Sequence, residues 1–418
     1  MPKLQLSAES RKNLTGCLIT MWRDGWDNAA IPVTNLPPPY QIITHEDRHV
    51  TLREVGLKAE EDMTEHLRTL EKVGQVFSNR EIERRIQDVF WKIAFTRPDG
   101  VKEAAEIAAD ELQPSLSEDP TEWTILLPIS NLALEGSLTV GKSTFHPNSQ
   151  LESVVILAAE RLGRRPPLLD SLKKDFEGCS IAESKAVSVD LDQAKILAER
   201  DVLDALCVLR CLAAPAYRPD NKYIDFKGKI WAGTTGYAVL SSKQVSLQFT
   251  RIGYFMPFRI RDKHAQDPVF LKFNNLLQKG VAVRTVFDRR LITAIRAFGL
   301  ALNETTDRDC FVTCITALEA LMLEDHDPKK EALAERTAHL IGRNRENKRE
   351  IYRRMKDLYA VRSDIVHGEE RDLSDADVAY LIEIAQACIL KSLEMTSGSP
   401  KVDDPLPWFE EQKFPSDS

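Results

Sequence analysis

Arg362 and His367 stand five residues apart in the segment Arg362-Ser-Asp-Ile-Val-His367. A guanidinium holds a phosphate or carboxylate through paired hydrogen bonds, and an imidazole exchanges a proton near neutral pH. The pair is therefore suited to proton transfer beside an anion. Glu319 joins them as the only charged residue in Cys310–Leu323, a run apolar nearly all round that reads as a buried helix. A buried carboxylate is costly unless it is paired. Arg362 is the candidate partner, because Ile351, Met355, Leu358, Arg362 and Ile365 follow steps of four and three and draw one stripe along a helix over Lys348–His367. Taken alone, that pairing is a structural role. His367 falls at the end of this helix, with Gly368 as its expected C-cap. Five residues are about 140° of helical rotation, so convergence of Arg362 and His367 requires a cleft at the end of the bundle or a dimer interface.

The same stretch is basic. Across residues 336–362, Arg336, Arg343, Arg345, Lys348, Arg349, Arg353, Arg354, Lys356 and Arg362 are opposed only by Glu346, Glu350 and Asp357, a net +6 in a chain whose overall charge is −8. Overall charge thus excludes nucleic-acid binding through the chain as a whole, and a local patch would have to carry it. These cations either serve phosphate binding or solvate a helix face.

Two other segments match chemical motifs and lack their context. Gly136–Ser143 satisfies the phosphate-loop pattern, which needs a glycine-rich cradle opening into a helix at the lysine. Here Ser-Leu-Thr-Val alternates like a strand and Pro147 follows closely, so the segment reads as two strands joined by a Gly141-Lys142 turn. His45–His49 (HEDRH) has the spacing of a zinc-protease helix. Its flanks, Gln41-Ile42-Ile43 and Val50-Thr51-Leu52, are strand-like, and a polar hairpin tip is the better reading.

The elements that position these residues change period along the chain. Ser7–Trp26 and Ala59–Phe95 are helical around a strand-like Tyr40–Val55. Trp123–Phe145 and Tyr223–Ile260 are strand-like, with a helix at Asp192–Ala214 between them. From Asp267 onward the pattern is helical, with Asp327-Pro328 and Ser374-x-x-Asp377 as start signals. The expected fold is α+β and predominantly α. Residues 1–114 form a helical region with a short β hairpin, and 115–262 a mixed α/β domain of sensor or regulatory size. A helical bundle follows over 263–396, and then a flexible tail over 397–418.

With 418 residues, 43% hydrophobic and 29% charged, the composition is that of a globular protein. The seven cysteines form no C-x-x-C pair, and two pairs sit at i,i+4 inside apolar runs, as reduced thiols of a cytoplasmic protein would. No segment reaches ~18 uninterrupted apolar residues and the N-terminus lacks a signal-peptide core, so neither a membrane span nor export is expected. No metal or cofactor is expected either.

The blocks FVTCITALEALML, ALAERTAHLIG and IYRRMKDLYAVRSDIVHG, in that order, resemble the HEPN superfamily and most closely its Apea-like domains. The resemblance spans roughly Thr306–Thr396. It implies a helical bundle that pairs as a homodimer and acts as a metal-independent ribonuclease in bacterial antiviral defence, abortive infection or toxin systems. The family motif, Arg then His after four to six residues, falls on Arg362 and His367, and the glutamate of the preceding buried helix on Glu319. Tyr359, Ser363 and Asp364 are the supporting residues; Ser363 stands where active members often carry Asn, Asp or His. On this reading Arg343, Arg345, Lys348, Arg349, Arg353 and Lys356 bind RNA.

The implied reaction is attack of the RNA's own 2′-OH on the adjacent phosphate. His367 acts as acid or base, and Arg362 stabilises the growing charge. The alternative is a catalytically inactive module that binds RNA, nucleotide or a protein partner. A third reading is an effector that stays silent until its first two domains bind a regulatory protein or a phage-derived trigger.

Overall fold

The structure, a computed structural model, describes residues 7–24, 26–28, 40–45, 48–96, 101–161, 173–213, 224–226, 233–240, 245–252, 258–304, 306–369, 372–398 and 400–413. The protein is α+β and predominantly helical. Its contacts divide it into two compact units, residues 1–125 with 185–198, and residues 126–184 with 199–418.

The first unit contains α1 (Ala8–Asp24), a three-stranded sheet, α2 (Glu54–Thr69), a short α3 (Glu71–Gly74), α4 (Asn79–Thr96) and α5 (Val101–Ser115). The sheet comprises β1 (Trp26–Asn28), β2 (Tyr40–His45) and β3 (Arg48–Arg53), in the order β1-β3-β2. Helical spacing of Leu14, Leu18 and Met21 on α1, Met63 and Leu67 on α2, and Ile82, Ile86 and Phe90 on α4 gives each helix one apolar face, and these faces close a single core. Glu60 is buried at its edge, where the Gln87 side-chain amide donates to it at 2.7 Å. Burial, the largest influence, together with Glu83 and Glu61, outweighs that bond and pushes the Glu60 carboxyl up to about 7.

The HEDRH segment lies in this unit. His45 ends β2 and pairs with Arg48 of β3 in antiparallel register, so the two histidines flank a hairpin and not a helical turn. Glu46 and Asp47 lie outside the described residues.

The second unit begins with strands, two of which (Thr121–Ser130 and Ser180–Ser188), like the helix Leu191–Ala213 after them, have part of their length in residues 121–125 and 185–198 of the first. β4 (Thr121–Ser130), β6 (Leu138–Val140), β7 (Ser143–His146), β8 (Ser180–Ser188) and β9 (Asp225–Phe226) form a sheet ordered β6-β7-β8-β4-β9. β5 (Leu132–Leu134) pairs in parallel with β12 (Phe258–Ile260), and β10 (Gly233–Leu240) with β11 (Val245–Ile252) as an antiparallel pair. β6 and β7 are joined by Gly141-Lys142, with Gly141 at φ +62°, a left-handed turn that glycine adopts without penalty. Lys142 is directed to Asp201 at 4.0 Å, and no helix follows it. The phosphate-loop pattern is therefore a β hairpin.

Helices complete the unit: α6 (Leu151–Arg161), α7 (Leu191–Ala213), α8 (Pro268–Gln278), α9 (Val286–Ala301), α10 (Asp307–Met322), α11 (Lys329–Ile341), α12 (Arg345–Val366), α13 (Asp375–Ser397) and α14 (Pro405–Lys413). Side-chain caps set most starts. Asp267 accepts the amides of Val269 and Phe270 ahead of α8, Thr285 and Asp288 form a reciprocal capping box on α9, and Thr306, Asn344 and Ser374 cap α10, α12 and α13. One buried core runs from Val140 and Phe145 of the sheet through Leu206 and Cys207 of α7 to Phe298, Phe311, Leu358 and Leu381. The strand-rich middle region and the helical bundle thus share one interior, because α7 is apolar nearly all round from Val202 and must be covered on every side. Gly299 of α9 lets that helix approach α7 closely; a Cβ there would stand 2.5 Å from the Cys207 Cβ and 2.6 Å from its Cα.

Three expectations are corrected. Residues 397–418 were expected to form a tail, yet α14 forms within them. Phe409 is 1% exposed beneath the Arg336 guanidinium, whose carbon lies 5.9 Å from the ring. Asp327 does not cap α11; its carboxylate instead accepts from the buried Arg336, Nη2 to Oδ1 at 3.1 Å, and from the Glu324 amide at 2.7 Å. Ser374 and Asp377 make half a capping box: the Ser374 hydroxyl accepts from the Asp377 amide at 3.2 Å, and the Asp377 carboxylate accepts from that hydroxyl and from Arg354, each at 2.6 Å, in place of the Ser374 amide.

Candidate functional site

α10 and α12 pack against each other in the bundle and set the geometry of the Arg–His motif. Glu319 comes from the last turn of α10, where the apolar run leaves it as the one carboxylate facing the partner helix. The Tyr359 hydroxyl donates to its Oε1 at 2.8 Å, and the Arg362 guanidinium reaches its Oε2 at 3.5 Å. Their side-chain exposures, 16% for Glu319 and 24% for Arg362, place the pair at a margin between core and solvent. The Arg362 guanidinium carbon also lies 5.7 Å from the Tyr359 ring centre.

Arg362 pairs with Glu319 as the spacing implies, but the carboxylate is half-buried and not buried, and Tyr359 takes the shorter of the two bonds. The Arg362 contact is long for a charge-assisted bond, which normally closes to about 2.7–2.9 Å. Arg362 Nε is buried with no partner, so the guanidinium is oriented by Glu319 yet not saturated. Burial, and the Glu319 carboxylate beside it, push the Tyr359 hydroxyl up to about 12, so it remains a donor throughout the physiological range.

His367 caps the C-terminus of α12 and is exposed. Its amide donates to the Ser363 carbonyl at 3.0 Å, the Glu369 amide to the Asp364 carbonyl at 2.9 Å, and Gly368 adopts φ +85° as expected of a C-cap glycine. Ser363 and Asp364 thus use their carbonyls to close the helix end. No hydrogen bond joins Arg362 to His367, and within one chain the structure does not bring them together.

One cation at this end is not signalled by the motif. Arg308, in the first turn of α10, donates from Nη2 to the Ile365 carbonyl at 2.9 Å. A guanidinium is favoured at a helix C-terminus by the helix dipole, and this one stands two residues from His367. Its sequence signal is weak, because an arginine at the start of a helix pairs with nothing local.

The nine basic residues of 336–362 do not surround the motif. α12 is 22 residues long, about 33 Å at 1.5 Å per residue, and its cations gather at the opposite end. Arg343, Arg345, Lys348, Arg349 and Arg353 line one open cleft of about 880 Å³ at the junction of α11 and α12, together with Glu335, Ala338, His339, Asn344 and Tyr352. Lys356 lies outside it, paired with Glu331 at 3.3 Å. Arg336, Arg354 and Arg362 are also committed to carboxylates, those of Asp327, Asp377 and Glu319.

Among the described residues no group of three or more His, Cys, Asp or Glu side chains stands close enough to hold a metal ion. No helix among them is long and apolar enough to cross a membrane. Six of the seven cysteines are buried and Cys17 is half-buried, all as free thiols. No family model, curated protein or solved structure matches this chain.

Proposed function

We propose that the chain is a HEPN-type endoribonuclease that cuts RNA without a metal, working as a cytoplasmic bacterial defence or toxin effector and pairing as a homodimer. The observation that carries this reading is the placement of Arg362, half-buried, held by Glu319, with Nε unpartnered, on the helix that ends in an exposed His367. His367 takes the 2′-OH proton or gives one to the leaving 5′-oxygen. The 2′-oxygen bonds to phosphorus as the P–O5′ bond breaks, leaving a 2′,3′-cyclic phosphate and a 5′-hydroxyl. Arg362 stabilises the charge that grows on the phosphate oxygens, and Arg308 adds a second guanidinium at the His367 end of the helix. Two-fold pairing at the His367 end of α12 brings a second Arg362 and His367 beside the first, so acid and base come from different subunits. Incubation with matched RNA and DNA strands tests the chemistry. RNA fragments ending in cyclic phosphate support it, whereas DNA cut at an equal rate rules it out.

A second reading has its own support. Both Glu319 oxygens are engaged and Arg308 caps the Ile365 carbonyl, so each charged group has a structural task. A non-catalytic module that binds RNA, nucleotide or a protein partner would need nothing more. RNA binding unchanged by His367→Ala, with no cleavage by the wild type, would favour it.

A further inference from the structure

The cleft at the junction of α11 and α12 carries five cations, Arg343, Arg345, Lys348, Arg349 and Arg353, and none of them forms an ion pair among the described residues. The only acid in the lining is Glu335, which already faces Lys413 at 3.5 Å. Like charges gathered in one concavity repel one another and focus a positive potential outward, an arrangement that a polyanion relieves. The cleft also opens beside Asn344, the N-cap of α12, where helix amides add to the attraction for phosphate. Two half-buried rings accompany the cations, His339 and Tyr352, and the Lys356 ammonium lies 5.5 Å from the centre of the Tyr352 ring, which leaves one face of it toward the cleft. Burial, and then the nearby Lys348 ammonium, lower the affinity of His339 for a proton, against the opposing pull of Glu335. Its Nδ1 is buried without a partner.

We propose that this cleft binds a single-stranded nucleic acid, its cations holding successive phosphates while Tyr352 and His339 offer faces to unstacked bases. A cleft of cations with interleaved rings suits single strands, because a duplex keeps its bases stacked away from such faces. The open shape favours a strand running through over a compact nucleotide. The cleft stands apart from the Arg–His motif: from Arg353, the nearest lining residue, it is about 13 Å along the axis to Arg362 and about 21 Å to His367. Anchoring and cutting are therefore separate functions of opposite ends of α12. Phosphates and base faces are common to RNA and DNA, so the anchor accepts both while only RNA has the 2′-OH that the cut requires. That the bound strand is a substrate rests on the ribonuclease reading; the binding does not.

The test is fluorescence anisotropy with labelled single strands of about twelve nucleotides, RNA and DNA of one sequence, within the usual range of site sizes. The full chain carrying His367→Ala serves as parent, so the RNA stays whole. Arg349→Glu and Arg353→Glu are introduced separately into that parent, with Lys391→Glu on exposed α13 surface as control. Both residues are exposed, and unchanged melting curves will establish that the variants fold. The expected result is Kd raised about tenfold or more for both strands, with a shallower salt dependence, and no change in the control. RNA and DNA should bind the parent with similar Kd. Unchanged binding in both reversals would overturn the proposal, as would displacement of the strand by micromolar ATP or equal affinity for a duplex. Failure of the wild type to cut RNA would sink the ribonuclease reading and leave these affinities untouched.

Discussion

The Tyr359 hydroxyl donates to Glu319 Oε1 at 2.8 Å, so a carboxylate placed by α10 is fixed by a phenol placed by α12. The long Arg362 contact leans on that bond: Tyr359 holds Glu319 in place, and Glu319 in turn orients the guanidinium.

Tyr359→Phe keeps the ring beneath Arg362 and removes only the donor. Loss of about 1.5 kcal/mol is expected, the usual worth of a hydrogen bond to a charged group, read as a lower urea midpoint at unchanged slope. An unchanged midpoint would mean that the bond contributes nothing to the bundle.

Gly299→Ala should be among the most damaging single-methyl changes in the protein. The added carbon meets Cys207 Cα and Cβ at 2.6 and 2.5 Å, and backbone cannot step aside as a side chain can. Overpacking of this kind costs about 2 kcal/mol or more. Gly16→Ala, in α1 with nothing within 4 Å, should instead stabilise by about 0.5–1 kcal/mol through helix propensity. Thermal melts of the two variants should therefore move in opposite directions.

Glu60 gives the first unit a pH dependence. Its folded-state pKa, about 7, lies above the value of about 4.3 it has in an unfolded chain, so the folded state binds the proton more tightly. The stabilisation is complete below about pH 4 and is lost as pH rises through 7. Glu60→Gln should remove that decline, a difference of about 2–3 kcal/mol between pH 5 and 8. Parallel melting curves for wild type and Glu60→Gln across that range would count against a buried, protonated Glu60.

Much of the site could be read from residue spacing. The stripe of Ile351, Met355, Leu358, Arg362 and Ile365 is local periodicity, and a lone Glu319 in an apolar helix requires a partner whatever the fold. The same logic found the Gly141-Lys142 hairpin, since alternation and a nearby proline are local signals. Contacts between distant segments were out of reach. Arg336 takes Asp327 with one side of its guanidinium and covers Phe409 with a face, so the apparent helix cap and the apparent tail both answer to a residue distant from each in sequence. Likewise, the net charge of residues 336–362 is legible in composition, while only the fold sets five of those nine cations around a cleft in the first half of α12, away from Arg362 and His367.

RNA cleavage in the presence of EDTA, comparing wild type with His367→Ala and Arg362→Ala, decides whether this chain is a metal-independent nuclease. The expected result is cleavage by the wild type that survives chelation, and loss of at least about a hundredfold in each variant, the scale of a missing proton-transfer group or charge stabiliser. Cleavage that persists in both variants, or that chelation abolishes, would contradict it.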